Sequence, residues 1–189
     1  MAIKEYKIEI EGLNPVIWNR MKRELELEKK KLKKDQLDEW EEKNWLRKAE
    51  YDTKGNVILP NEWIKGTLID ACKKTRIVPH YAKSKSQTYT NYVQGMMIEL
   101  KKPMSKKKDL EYYGAYVGSR GGMGGGKIWK VRPLLKKWKA TFTIKDPIGR
   151  MKKDELYALL NYAGLMIGVG DNRRNNYGRF VIKSIKEMN

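Results

Sequence analysis

Arg120, Lys127, Lys130 and Arg132 are interleaved with Tyr112, Tyr113, Tyr116 and Trp129 around a glycine-rich run, Gly114–Lys127. Lysine and arginine neutralise phosphates and release their counterions, while aromatic rings stack on base faces for roughly 1–3 kcal/mol each whatever the sequence. Cations and rings in this pattern suit an unpaired strand, and a flexible hairpin tip whose rings pack inward is the competing reading. A second group lies in the segment Gly164–Phe180, where Arg173, Arg174 and Arg179 share a short loop between a glycine-punctuated helix exit and Tyr177-Gly178. Such a loop suits a phosphate backbone or a contact between subunits, because guanidinium forks bind phosphate and carboxylate alike. Lys73 and Lys74, in the last turn of an expected helix, add two candidate phosphate ligands. Gly121, Gly126 and Lys127 have the spacing of a phosphate-binding P-loop, but Ile128 stands where the magnesium-binding Ser or Thr is needed and a strand pattern follows.

The elements that must hold these residues follow from hydrophobic period. Residues 3–10 alternate, with Tyr6, Ile8 and Ile10 on one side and Glu5, Lys7 and Glu9 on the other, as a half-buried strand does. The run Lys22–Lys48 lacks Gly and Pro and is rich in Glu, Lys and Leu, so it is expected to be helical, as one bent helix or two short ones. Tyr51–Leu59 reads as a hairpin turning at Lys54-Gly55. Pro60 and Asn61 then open a helix over 61–74, with Asn61 as the expected N-cap and Lys73, Lys74 and Arg76 in the last turn. Further strands are expected over 93–100, 128–132 and 138–144, a second amphipathic helix over 153–167, and a last strand over 178–185. Gly114–Lys127 is expected to be a mobile loop, since glycine loses the most entropy on ordering.

The strong elements spell βαββαβ, the order of the ferredoxin-like or RRM-like α+β fold. A charged helical insertion (residues 22–50) precedes the first core helix, and a glycine-rich hairpin or loop insertion (residues 104–132) separates the two middle strands of one domain spanning 1–189.

The 41 Lys and Arg against 23 Asp and Glu give a net charge of +18, which points to polyanionic partners. A single cysteine, Cys72, excludes a disulfide framework or a multi-thiolate metal site within one chain, and a lone histidine, His80, excludes two-histidine metal sites. Cys72 falls on the apolar side of its helix, His80 reads as a loop residue, and Met96, Met97 and Met166 read as core. No cofactor and no enzymatic activity are expected, since a metal-dependent nuclease would need clustered carboxylates that the sequence does not offer. The N-terminus has no signal-peptide core and no run of roughly 18 apolar residues occurs, so a cytoplasmic protein without a membrane partner is expected.

The helix, Gly-x-Gly loop and Tyr-Gly-Arg-Phe strand of Gly164–Phe180 resemble the C-terminal half of the RAMP superfamily, RRM-like proteins that include backbone subunits of CRISPR effector complexes. The chain also resembles bacteriophage proteins that combine a segment similar to Gly55–Ala71 with one similar to Gly164–Phe180. The first resemblance implies an RRM-like palm, a basic groove for single-stranded nucleic acid, a projecting hairpin at Gly114–Arg132 and head-to-tail self-assembly into an oligomer or filament. Some relatives cleave RNA through a loop aspartate, and no residue here matches that position; Asp171, the only acid in the glycine loop, reads as a turn residue. The expected function is therefore binding of single-stranded DNA or RNA with little sequence preference. The alternative is a phage-encoded regulator that occupies or mimics a subunit of a host nucleoprotein complex, in the cytoplasm of a bacterial cell.

Overall fold

The computed structural model describes residues 3–75, 79–80, 89–118 and 127–188. In chain order the elements are β1 (Lys4–Gly12), β2 (Val16–Ile17), α1 (Arg23–Lys30), α2 (Leu37–Asn44), β3 (Asn56–Val57), α3 (Asn61–Thr75), α4 (Thr90–Gly95), β4 (Met97–Lys102), β5 (Ser105–Lys106), β6 (Glu111–Gly118), β7 (Lys127–Leu135), β8 (Lys139–Asp146), α5 (Lys153–Tyr162) and β9 (Phe180–Met188). A wide turn, Ala163–Ile167, extends α5.

The main sheet has strand order β4-β8-β1-β9 with every neighbour antiparallel. With β1, β4, β8 and β9 as the four strands of βαββαβ, this is the ferredoxin-like and RRM-like arrangement, in which the first and third strands lie at the centre. Helices α3 and α5 pack side by side over one face. Tyr6, Ile8 and Ile10 from β1 and Phe142 and Ile144 from β8 meet Leu68, Leu156, Leu159 and Leu160 there, all essentially buried. The period-two pattern of β1 therefore decides which side becomes core, and burying each such side chain contributes about 1.5–3 kcal/mol.

The turn that leads from β8 into α5 is closed by a carboxylate. Asp146 is fully buried and accepts hydrogen bonds from the backbone N–H groups of Ile148, Gly149 and Met151 and from the Tyr92 hydroxyl. Among the described residues no helix is long and apolar enough to cross a membrane.

Several expectations are corrected. Val93–Gly95 belong to α4, and the strand expected over 93–100 starts at Met97; Val93 turns into the core from a helix instead. Gly114–Gly118 are not a loop but part of β6, paired residue for residue with β7 from Gly114↔Val131 to Gly118↔Lys127. Ladder hydrogen bonds outweigh the entropy that glycine loses. Residues 119–126 of that run, Arg120 among them, lie outside the described residues. Asn61 is the first residue inside α3 rather than its N-cap, and its side-chain oxygen accepts the Leu100 N–H at 3.0 Å. Met96 is buried as expected, but Met97 and Met166 are 54% and 58% exposed, on a sheet edge and in the wide turn after α5.

The charged run forms two short helices, α1 and α2, and they are not merely a solvated excursion. Glu41 and Lys48 are fully buried, Glu41 pairs with both Lys29 and Lys48, and it accepts the Val131 N–H at 3.0 Å. Lys48 donates to the Val131 carbonyl at 2.6 Å. The helical insertion is thereby riveted to β7, and through it to the hairpin.

Candidate nucleic-acid interface

The β6–β7 hairpin presents two faces. Tyr112, Gly114 and Tyr116 share a face with Trp129 and Val131, and Tyr113 and Ala115 share the other with Lys130 and Arg132. The first face meets α2. Glu42 accepts hydrogen bonds from the Tyr112 hydroxyl and from Trp129 Nε1 at 2.8 Å, and Trp45 lies edge-on to Tyr112 at 5.9 Å. Gly114 is needed here for space alone, because a Cβ at that position would come within 2.5 Å of the Trp129 ring. Tyr116 packs at a tilt against Trp129 with centroids 4.9 Å apart and stays 65% exposed, so among the described residues it is the ring of this hairpin most open to a ligand.

The second face meets the loop that follows α5. That loop is stitched to β2 and to the residue before it: the Asp171 N–H donates to the Ile17 carbonyl at 2.9 Å and the Gly178 N–H to that of Pro15 at 2.7 Å. Thr67 on α3 donates its hydroxyl to the Gly168 carbonyl at 2.9 Å. Gly178 has φ of 70° and lies so close to Val169 that a Cβ would fall 1.8 Å from its carbonyl oxygen, so no other residue fits. Asn172 and Asn176 take left-handed conformations on either side of the single turn Arg173–Asn175, at φ of 57° and 64°. Asparagine is the side chain that tolerates this region best, and the two turns aim the intervening arginines outward.

Lys74, Arg173, Arg174 and Arg179 converge on one depression beside the exposed Met166, and among the described residues Asp70 is the only carboxylate that lines it. Arg173 reaches Asp70 at 3.2 Å. Arg179 donates through Nη2 to the Arg173 carbonyl and to Asn176 Oδ1, both at 3.3 Å, while its Nη1 is buried without a hydrogen-bond partner. Burial and the neighbouring Arg173 charge push the Arg179 guanidinium below its ordinary pKa. Four cations facing one carboxylate are short of negative charge, which is the state of an anion site before its anion arrives. Lys73 is exposed on the same helix turn as Lys74.

The other residues singled out from the sequence divide. Lys127 is exposed and Trp129 half-exposed beside Tyr116. Lys130 is half-buried, and burial, then the Arg132 and Lys29 charges, lower its pKa. Arg132 is not part of the exposed basic surface: it is 7% exposed and its Nε stands 3.2 Å from Asp171 Oδ2. Tyr177 packs its ring at a tilt against Tyr113, centroids 5.6 Å apart, and ties loop to hairpin. His80 is engaged by Glu155, with Nδ1 at 3.0 Å. Cys72 is buried, and burial pushes its thiol up to about 12.

The open face of the main sheet differs from that of the usual RNA-binding RRM, where aromatic side chains stack bases. From β1 and β8 it projects Glu5, Lys7, Glu9, Glu11, Lys139, Thr141, Thr143 and Lys145, with no ring among them. Its charges are largely matched, Glu11 with Lys139 and Lys183 and Glu5 with Lys145.

The same fold recurs in a solved structure. A chain of the cryo-EM structure of the type III-B Cmr-beta bound to cognate target RNA superimposes with a TM-score of 0.53 over 98% of this chain, at 10% sequence identity. This chain spans 61% of the length of that one. No protein-family model and no curated protein matches the sequence.

Signals that sequence reading missed are the acids. Asp70, Glu41, Glu42 and Asp171 each organise a cation or ring of the site, and only Asp171 stood out, by lying inside the glycine loop.

Proposed function

We propose that this chain is a RAMP-type protein that binds single-stranded nucleic acid through a basic strip. The strip runs from Lys127 and Tyr116 on the hairpin, across the Arg173–Arg179 loop, to Lys73 and Lys74 at the end of α3. The observation that carries the reading is the depression in which Lys74, Arg173, Arg174 and Arg179 share the single carboxylate of Asp70. Phosphate contacts of this kind position a strand without reading its sequence. Stacking on Tyr116 and Trp129 suits an unpaired base, and the matched charges and ring-free surface of the open sheet face direct the strand away from it. The strip itself has no catalytic role in this reading. Assembly of further copies along the strand rests on the resemblance to RAMP proteins.

Fluorescence anisotropy of nuclease-treated protein with labelled single strands and duplex across a salt series tests the proposal. Four phosphates neutralised by the depression correspond to a log–log salt slope of about −3 on single strands. Absence of binding to every polymer at low salt would sink it, and would turn attention to an acidic protein surface as the partner of the basic strip.

A further inference from the structure

The hairpin and the arginine loop enclose a second, smaller cleft of about 170 Å³, lined by Tyr113, Tyr116, Arg132, Asp171, Asn172 and Asn175. Its floor is unlike the phosphate depression. The Arg132 side chain is 8% exposed, and its Nε and the Asp171 Oδ2 stand 3.2 Å apart, near enough for an ion pair. Neither atom makes an aligned hydrogen bond, although both are buried. A buried guanidinium and a carboxylate whose Oδ2 is out of solvent, both with unspent hydrogen-bonding capacity, are costly, and such atoms are normally saturated. Glu41, which ties the same hairpin to α2, has both oxygens engaged, by Lys29, Lys48 and the Val131 N–H, so the shortfall is local to this cleft.

A ligand that relieves it must offer donors to a carboxylate and an acceptor to a guanidinium, side by side on one edge. It must also be flat enough to enter between the strand and the loop beside the Tyr113 ring. Among the nucleobases guanine does this best. Its N1–H and N2–H are adjacent donors for both oxygens of a carboxylate, and O6 beside them is an acceptor for arginine. Adenine and cytosine offer the carboxylate one exocyclic amine, and uracil and thymine offer one ring N–H between two carbonyls. We propose that the cleft between β6–β7 and the Asp171–Asn175 loop is a guanine-selective base site, with Asp171 accepting from N1–H and N2–H and Arg132 donating to O6. The site rests on the single-strand reading above and adds to it: the strip holds the backbone, and this cleft prefers one base among those that pass it.

The test uses short labelled uridine tracts, alone or carrying one central guanosine, adenosine, cytidine or inosine, in the anisotropy assay at a salt concentration where the plain tract binds measurably. The guanosine tract is expected to bind about 10-fold tighter than the plain tract, the scale of one good base contact. Inosine, which lacks only the N2 amine, is expected to fall between guanosine and adenosine. Asp171→Asn, checked for an unchanged thermal midpoint, should erase the guanosine advantage over the plain tract. If that variant does not fold, the guanosine–inosine difference on the unmodified protein decides. Equal affinity for all tracts, or a preference for adenosine or cytidine, overturns the guanine site and leaves the strand-binding reading standing. Failure of every tract to bind at low salt overturns both.

Discussion

The two faces of the β6–β7 hairpin are built from the same kinds of residue and end in opposite electrostatic states. Against α2, Glu41 spends its oxygens on Lys29, Lys48 and the Val131 N–H, and Glu42 takes Tyr112 and Trp129. Against the 171–179 loop, Asp171 faces Arg132 without an aligned hydrogen bond, and beyond it four cations share Asp70. Rings, cations and carboxylates occur on both sides, so composition does not separate them; saturation does. The saturated face holds the hairpin, and the unsaturated face has capacity left for a ligand.

Glu41→Ala attacks the saturated face and carries the largest expected effect. It leaves Lys48 buried without a counter-charge, which typically costs 3–5 kcal/mol or about that. Urea unfolding should show it, and a loss under about 1 kcal/mol would mean that the helical insertion does not hold the hairpin. Replacing Arg173, Arg174 and Arg179 together with alanine attacks the other face. Single-strand affinity should fall on the order of 100-fold at low salt and the salt slope should flatten by about 2, with little change in stability. Unchanged affinity would remove that loop from the interface.

Acid separates the faces without mutation. Burial opposes the Glu41 charge, but Lys29, Lys48 and the Val131 N–H outweigh it and hold its pKa below the ordinary carboxylate value. Its contribution to stability is therefore fully present above that ordinary value, about 4.3, and is lost as pH falls through the depressed one. The fluorescence of Trp40 and Trp129 should report the release below about pH 4.3, and a transition centred near neutrality would contradict the assignment. The smallest effect is expected on the open sheet face. Lys139→Ala and Lys183→Ala remove exposed partners of Glu11 and should leave strand binding unaltered; a loss comparable to that of the loop variants would show that net charge, not local shortage of carboxylates, governs binding.

Much of the scaffold is legible in the sequence because its cause is local. Alternation in residues 3–10 and 138–144 and the helical period of 61–74 and 153–167 each follow from one face being buried, and the sheet order then follows from βαββαβ. What escaped was set by distant partners. Gly114–Gly118 look unable to pack until β7 is laid beside them. Glu41 and Lys48 read as solvated members of a charged run because nothing near them announces the Val131 backbone they reach. At the site, the clustering of Arg173, Arg174 and Arg179 was visible in the chain, whereas the withdrawal of Arg132 into contact with Asp171 depends on a loop 40 residues downstream being pinned to β2.

The position of β1 at the centre of the main sheet also has a consequence in time. Both of its neighbours, β8 and β9, come from the last third of the chain, so β1 can pair with nothing until residues 139–188 exist. At roughly 5–20 residues per second, a ribosome that has made β1 needs on the order of 10 s or more to supply them. Through that interval Tyr6, Ile8 and Ile10 wait as an unpaired apolar ridge, and loop closure over such a span is itself slow. The nascent chain is thus at its most adhesive long before it is complete, and its yield in a cell should depend more on holdase chaperones than its final stability would suggest.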